Sequence, residues 1–97
     1  MDSSWSKILK KKKDEWALSY GLRRLAVFGS RARGDNRVDS DLDLLVEFER
    51  PLRIDLLQFV ALEQDLEFEL GVPVDLVIAS NLKPYVREIV LKEARDL

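Results

Sequence analysis

The chain has no cysteine and no histidine among its 97 residues. Without cysteine there is no disulfide and no thiolate metal site. Without histidine there is no imidazole base, no His-containing triad and no ordinary zinc site. Any acid–base or metal chemistry must therefore rest on carboxylates. Neither sign of charge is in excess: 16 Lys and Arg face 18 Asp and Glu, a formal net charge of −2. That balance argues against a general nucleic-acid binder, which usually carries a basic face. No apolar run has the length of a membrane-spanning helix, and the N-terminus lacks the pattern of a signal peptide. These absences predict a cytoplasmic protein with no membrane partner. There is no internal repeat or linker, and the length suits a single domain over residues 1–97 with one modest core.

The informative stretch runs from Leu25 to Phe48, LAVFGSRARGDNRVDSDLDLLVEF. A short apolar run ends at Gly29-Ser30. An arginine-rich polar segment follows, then Asp41-Leu42-Asp43 opens a second apolar run. The pattern predicts strand, tight turn, short helix or loop, strand. Side chains alternate along a strand, so Asp41 and Asp43 share one face while Leu42 and Leu44 enter a core. Two such carboxylates repel each other unless a cation lies between them. A glycine directly after a strand permits a sharp turn and close approach of a ligand. Backbone N–H groups and a serine hydroxyl at a helix start suit phosphate oxygens. If the second strand runs antiparallel to the first, Asp41 returns beside Ser30. A phosphate cradle then faces a divalent-metal site, an arrangement that suits a nucleoside triphosphate with Mg²⁺. Each part alone reads more plainly as a turn and a solvated strand end; order, spacing and flanking strands together carry the argument.

Gly29-Ser30, ten residues and then Asp41-x-Asp43 resembles the signature of the minimal nucleotidyltransferases, in the DNA polymerase β-like superfamily. The Arg31-Ala32-Arg33-Gly34-Asp35 segment and the Ser40–Leu44 run are similar too, as are Val74-Asp75-Leu76-Val77 and Lys83-Pro84-Tyr85-Val86-Arg87-Glu88. The resemblance covers the chain from about Tyr20 onward. Many small members of that family are antitoxins paired with a helical HEPN-domain toxin. The resemblance therefore implies ATP as donor, a partner tyrosine hydroxyl as acceptor, and a hetero-oligomer with a HEPN toxin silenced by adenylylation. The competing reading is an antitoxin that acts by docking alone.

Along the rest of the chain, residues 4 to 20 predict an amphipathic helix with Trp5, Ile8, Leu9, Trp16 and Tyr20 near one face. Ser3 or Ser4 would cap it and Gly21 would stop it. The two tryptophans read equally as core anchors or as an interface. Lys10 to Lys13 read as a solvated face, or else as a contact for nucleic acid or an acidic partner. Strands are expected at Arg23–Phe28, Asp41–Glu47 and Val72–Ile78, and helices at about Leu52–Leu70 and 82–95. In the first of these, Leu52, Leu56, Phe59, Val60, Leu66 and Leu70 form an apolar stripe. In the last, Tyr85, Val86, Ile89 and Val90 would face the sheet. The fold expected is α/β (α+β), α-β-α-β-α-β-α, with a three-stranded mixed sheet whose second strand is central. Strand–helix–strand makes the second and third strands parallel. Asp75, alone in an apolar strand, would then join Asp41 and Asp43. The expected roles follow. Asp41, Asp43 and Asp75 ligate two Mg²⁺ ions, and Asp75 helps take the proton from the acceptor. Gly29 and Ser30 hold the terminal phosphates. One of Arg31, Arg33 and Arg37 contacts phosphate, with Arg31 and Arg33 on the short turn; in the plainer reading all three balance Asp35 and Asp39.

Overall fold

The structure, a computed structural model, describes the backbone over residues 3–97 and side chains from residue 4. The order is α1 (Ser3–Tyr20), β1 (Leu22–Phe28), α2 (Ser30–Arg33), β2 (Leu42–Phe48), α3 (Leu56–Leu70), β3 (Val74–Ile78), a 3₁₀ turn (Ala79–Asn81), α4 (Pro84–Glu93) and β4 (Arg95–Asp96). The sheet order is β3-β2-β1-β4. β2 is antiparallel to β1 and parallel to β3, as the connections demand.

β2 is apolar nearly throughout because both faces of the sheet are covered. Leu42, Leu44 and Val46 point to the side of α1 and α3, where Leu9, Trp16, Leu62, Leu66 and Leu70 complete the larger core. Leu45 points the other way and packs with Ala26, Ala79 and Val90 under α4. Asp43 is on this second face, since side chains two apart share a side. Arg87 fastens α4 there. Its guanidinium donates to the carbonyls of Ala79 and Leu82 at 3.0 and 2.9 Å, just beyond the end of β3.

Several expected boundaries move, each for a local reason. Ser3 and Ser4 are both already helical, so the position that would cap α1 lies outside the described residues. Residues Leu52–Asp55 are not helical. Asp55 is the N-cap of α3, accepting from the Gln58 amide at 2.8 Å while Gln58 Oε1 accepts from the Asp55 amide at 2.9 Å. This reciprocal capping box starts the helix later than the proline suggests. Leu52 and Leu56 are consequently exposed, Val60 is exposed as well, and the inward stripe uses Leu62 with Leu66 and Leu70. At the other end Gly71 adopts φ 75, ψ 17 and returns its N–H to Glu67, closing the helix.

The sheet has four strands where three are expected. α4 stops at Glu93, and Arg95 and Asp96 pair with Val27 and Ala26 of β1. The Arg24 guanidinium ties this short strand to β1 through the Asp96 carboxylate at 2.6 Å. Within α4, Val86 and Val90 face the sheet, whereas Tyr85 and Ile89 are exposed. β3 is an edge strand. Its outward amides at Val74 and Leu76 donate to Glu67 and Glu63 of α3, each at 2.9 Å. Two glutamates one helical turn apart thus close a sheet edge that would otherwise invite another strand.

Candidate active site

The strand register assembles the acidic residues. Phe28 pairs with Asp43 across the antiparallel ladder, so Gly29, one step past β1, meets the start of β2. Asp43 pairs with Asp75 across the parallel ladder, and both side chains lie on the α4 face. Asp41 stands two residues before Asp43, just ahead of β2. Asp41 and Asp75 are exposed and Asp43 is half-buried.

Gly29 is fixed twice over. Its φ of 76 and ψ of −157 belong to a region that side-chain-bearing residues essentially do not enter. A Cβ added there would also run into the Asp43 carboxylate. The backbone at the end of β1 therefore lies directly against one of the acidic groups, with Ser30 opening α2 beside it.

None of Asp41, Asp43 and Asp75 has a hydrogen-bond or ion-pair partner among the described residues. Burial pushes the Asp43 carboxyl above its ordinary pKa, and the charges of Asp75 and then Asp41 push it further. Arg33 pulls it back down, and Glu93 adds a small push upward. A set of carboxylates short of positive partners, with oxygen donors only, fits a hard divalent cation such as Mg²⁺. Among the described residues, no three acidic side chains are drawn together closely enough to hold a metal ion by themselves. The arrangement is a face open to a ligand that brings its own oxygens.

The three arginines of the Gly29–Asp41 segment separate. Arg33 leaves α2 toward α4, its Nη1 2.5 Å from Glu93 and its Nε 3.1 Å from Asp35. It is the guanidinium whose charge reaches Asp43. Arg31 turns the other way. It stacks 4.9 Å from the centre of the Trp5 ring and donates to the carbonyls of Val38 and Ser40. Arg37 joins the loop through its backbone, its amide donating to Ser40 Oγ at 2.7 Å.

Two contributors escape sequence reasoning. Glu93 is an ordinary residue at the end of a helix, and only the fold brings it to Arg33. Trp5 reads from spacing as core or interface, while Trp16 is the one buried in the core. No local pattern signals that Trp5 faces a guanidinium 26 positions away.

A mixed sheet with a Gly-Ser turn facing the carboxylates of two neighbouring strands defines a nucleotidyltransferase-type fold. The chain belongs to the nucleotidyltransferase domain family, whose family model matches residues 6–97. It is 45% identical over 86 residues to protein adenylyltransferase MntA of Thermococcus cleftensis, covering 89% of this chain and 85% of that protein. Among solved structures, one assigned as a minimal nucleotidyltransferase superposes with a TM-score of 0.78 at 43% identity, covering 100% of this chain and 97% of the other. A crystallised toxin–antitoxin pair with AMP-PNP matches with a TM-score of 0.76 at 25% identity, over 95% of this chain and 70% of that one. No helix among the described residues is long and apolar enough to cross a membrane.

Proposed function

We propose that this protein is an antitoxin that transfers AMP from ATP to a tyrosine hydroxyl of a HEPN-domain toxin, with Mg²⁺. The observation that carries the reading is the set Asp41, Asp43 and Asp75, without protein partners and set against the Gly29–Ser30 turn. Support for adenylyl transfer also comes from the MntA relative, and support for a toxin partner from the similarity to a toxin–antitoxin structure.

In the reaction the acceptor oxygen forms a bond to the α-phosphorus as the bond to the β-phosphate oxygen breaks. Pyrophosphate leaves and the hydroxyl proton is lost. Gly29 lets the chain pass close to the terminal phosphates, and Ser30 offers its hydroxyl to them. Arg33, whose charge reaches Asp43, would contact phosphate by exchanging Asp35 or Glu93 for a phosphate oxygen. Asp41, Asp43 and Asp75 would hold Mg²⁺. When bound, that ion neutralises phosphate charge and favours attack at phosphorus. Asp75, exposed on the edge strand, would take the acceptor proton.

The test is mass spectrometry of the partner toxin after incubation with this protein, ATP and Mg²⁺. The partner should gain one or more AMP units on tyrosine. Asp41→Asn and Asp43→Asn should each abolish the gain, because a neutral amide is a poor Mg²⁺ ligand. An unmodified toxin held in a tight complex would replace this reading with docking alone.

A further inference from the structure

Asp41 carries much of the proposed chemistry yet stands outside regular structure, at the end of a loop that begins after Gly34. The peptide unit following Asp41 is held by the sheet: the Leu42 amide donates to the Pro73 carbonyl at 2.9 Å. The peptide unit preceding it is held by a side chain. Arg31 Nη2 donates to the Ser40 carbonyl at 2.7 Å, and Arg31 Nε reaches the same oxygen at 3.2 Å. A second Nη2 bond to the Val38 carbonyl, also 3.2 Å, ties in the loop two residues earlier. With the bonds on both sides made, the backbone torsions of Asp41 are confined, and with them the direction in which its Cβ leaves the chain. A face of the guanidinium lies over Trp5 of α1 while its edge donates to the carbonyls. An aromatic face holds a planar cation in place without competing for its N–H donors.

We propose that Arg31 is a positioning residue for Asp41, braced by Trp5, rather than a phosphate ligand. It acts through the Ser40 carbonyl and makes α1 part of the metal-site scaffold. Lysine would not substitute, since one ammonium cannot bridge two carbonyls in a fixed plane while stacking on an indole. The metal-site part of this proposal rests on the transferase reading; the pinning of the loop does not.

Arg31→Met keeps an apolar stem over Trp5 and removes every donor. Hydrogen exchange followed by mass spectrometry, on the metal-free protein, should show residues 35–41 exchanging faster while the core strands keep their protection. Unchanged exchange there would overturn the proposal. In the presence of a non-hydrolysable ATP analogue, Mn²⁺ read by electron paramagnetic resonance should bind about tenfold more weakly, the usual scale for losing a support behind a ligand. Binding of the analogue in EDTA should be unchanged. Arg31→Lys should behave as Arg31→Met, and Trp5→Phe should lie between it and wild type. In an Asp41→Asn background Arg31→Met should have no further effect on Mn²⁺, because the two act on one ligand. The opposite result, analogue binding weakened in EDTA with unchanged Mn²⁺ affinity at saturating analogue, would make Arg31 a phosphate ligand and end the proposal. If the wild type binds no Mn²⁺ even with the analogue, the transferase reading fails, and exchange alone then decides whether Arg31 pins the loop.

Discussion

At the residue scale, Asp43 shows what gathering like charges at a half-buried position costs. Its carboxyl is raised by burial first, then by Asp75 and Asp41. A folded pKa above the unfolded value of about 3.9 means that the folded state holds the proton more tightly. That contribution favours folding below the unfolded pKa and is lost as pH rises through the raised folded value. At neutral pH the metal-free site is therefore a destabilising feature. Asp43→Asn removes the charge at nearly constant shape. The metal-free variant should be more stable than wild type by about 1 kcal/mol at pH 7, a modest figure because water screens a half-exposed group. The difference should shrink as pH falls toward 4. Urea melts of both proteins in EDTA at several pH values measure this. A variant less stable than wild type would show that the carboxylate makes a structural bond. That Asp43 and Asp75 lie side by side, with Gly29 against Asp43, is legible in the sequence, because strand order and a turn glycine are local signals. Glu93 and the role of Trp5 are not, since each depends on a contact between segments remote along the chain.

At the element scale, the interplay of α3 and β3 is the clearest case. The spacing of Leu66 and Leu70 announces part of a buried stripe and Gly71 announces its end, whereas Leu62 joins the stripe only in the structure. The Asp55–Gln58 box was also present to be read, but the proline and leucines ahead of it suggest an earlier start. What spacing could not reveal is the use of Glu63 and Glu67, because a glutamate beside an apolar stripe ordinarily just meets water. Here each accepts an amide of the sheet edge. Glu63→Ala and Glu67→Ala should each cost about 1–2 kcal/mol, the range for leaving a partly buried N–H without its partner. The double variant should also self-associate as its edge opens. Denaturant melts and sedimentation velocity give the two readouts; full stability with a monomeric double variant would remove the edge-closing role. The two-residue β4 was likewise beyond reach, since two residues carry no period and the pairing partner is seventy positions away.

At the scale of the whole molecule, ligand binding should work against the repulsion stored in the acidic face. Mg²⁺-ATP at about one hundred times its dissociation constant would stabilise the folded state by about 2.7 kcal/mol. For a domain of this size that corresponds to a rise in melting temperature of about 10–20 °C. Asp41→Asn should gain far less, and scanning fluorimetry across a Mg²⁺ and ATP matrix compares them. An equal rise in both would place the nucleotide elsewhere. The register that unites Gly29, Asp43 and Asp75 has one more consequence, in time rather than in space. Gly29 and Asp43 come together through a short antiparallel return. Asp75 joins them only after α3 has crossed over to lay β3 beside β2, a pairing between segments about thirty residues apart. Non-local parallel pairing forms slowly, because loop-closure entropy is spent before its contacts are gained. During refolding, Gly29 and Asp43 are therefore expected to meet before Asp75 joins them. If the proposed site draws on Asp75, competence for transfer would wait until β3 is in place, and a partly made molecule would carry the Gly-Ser and Asp-x-Asp pattern without the third carboxylate.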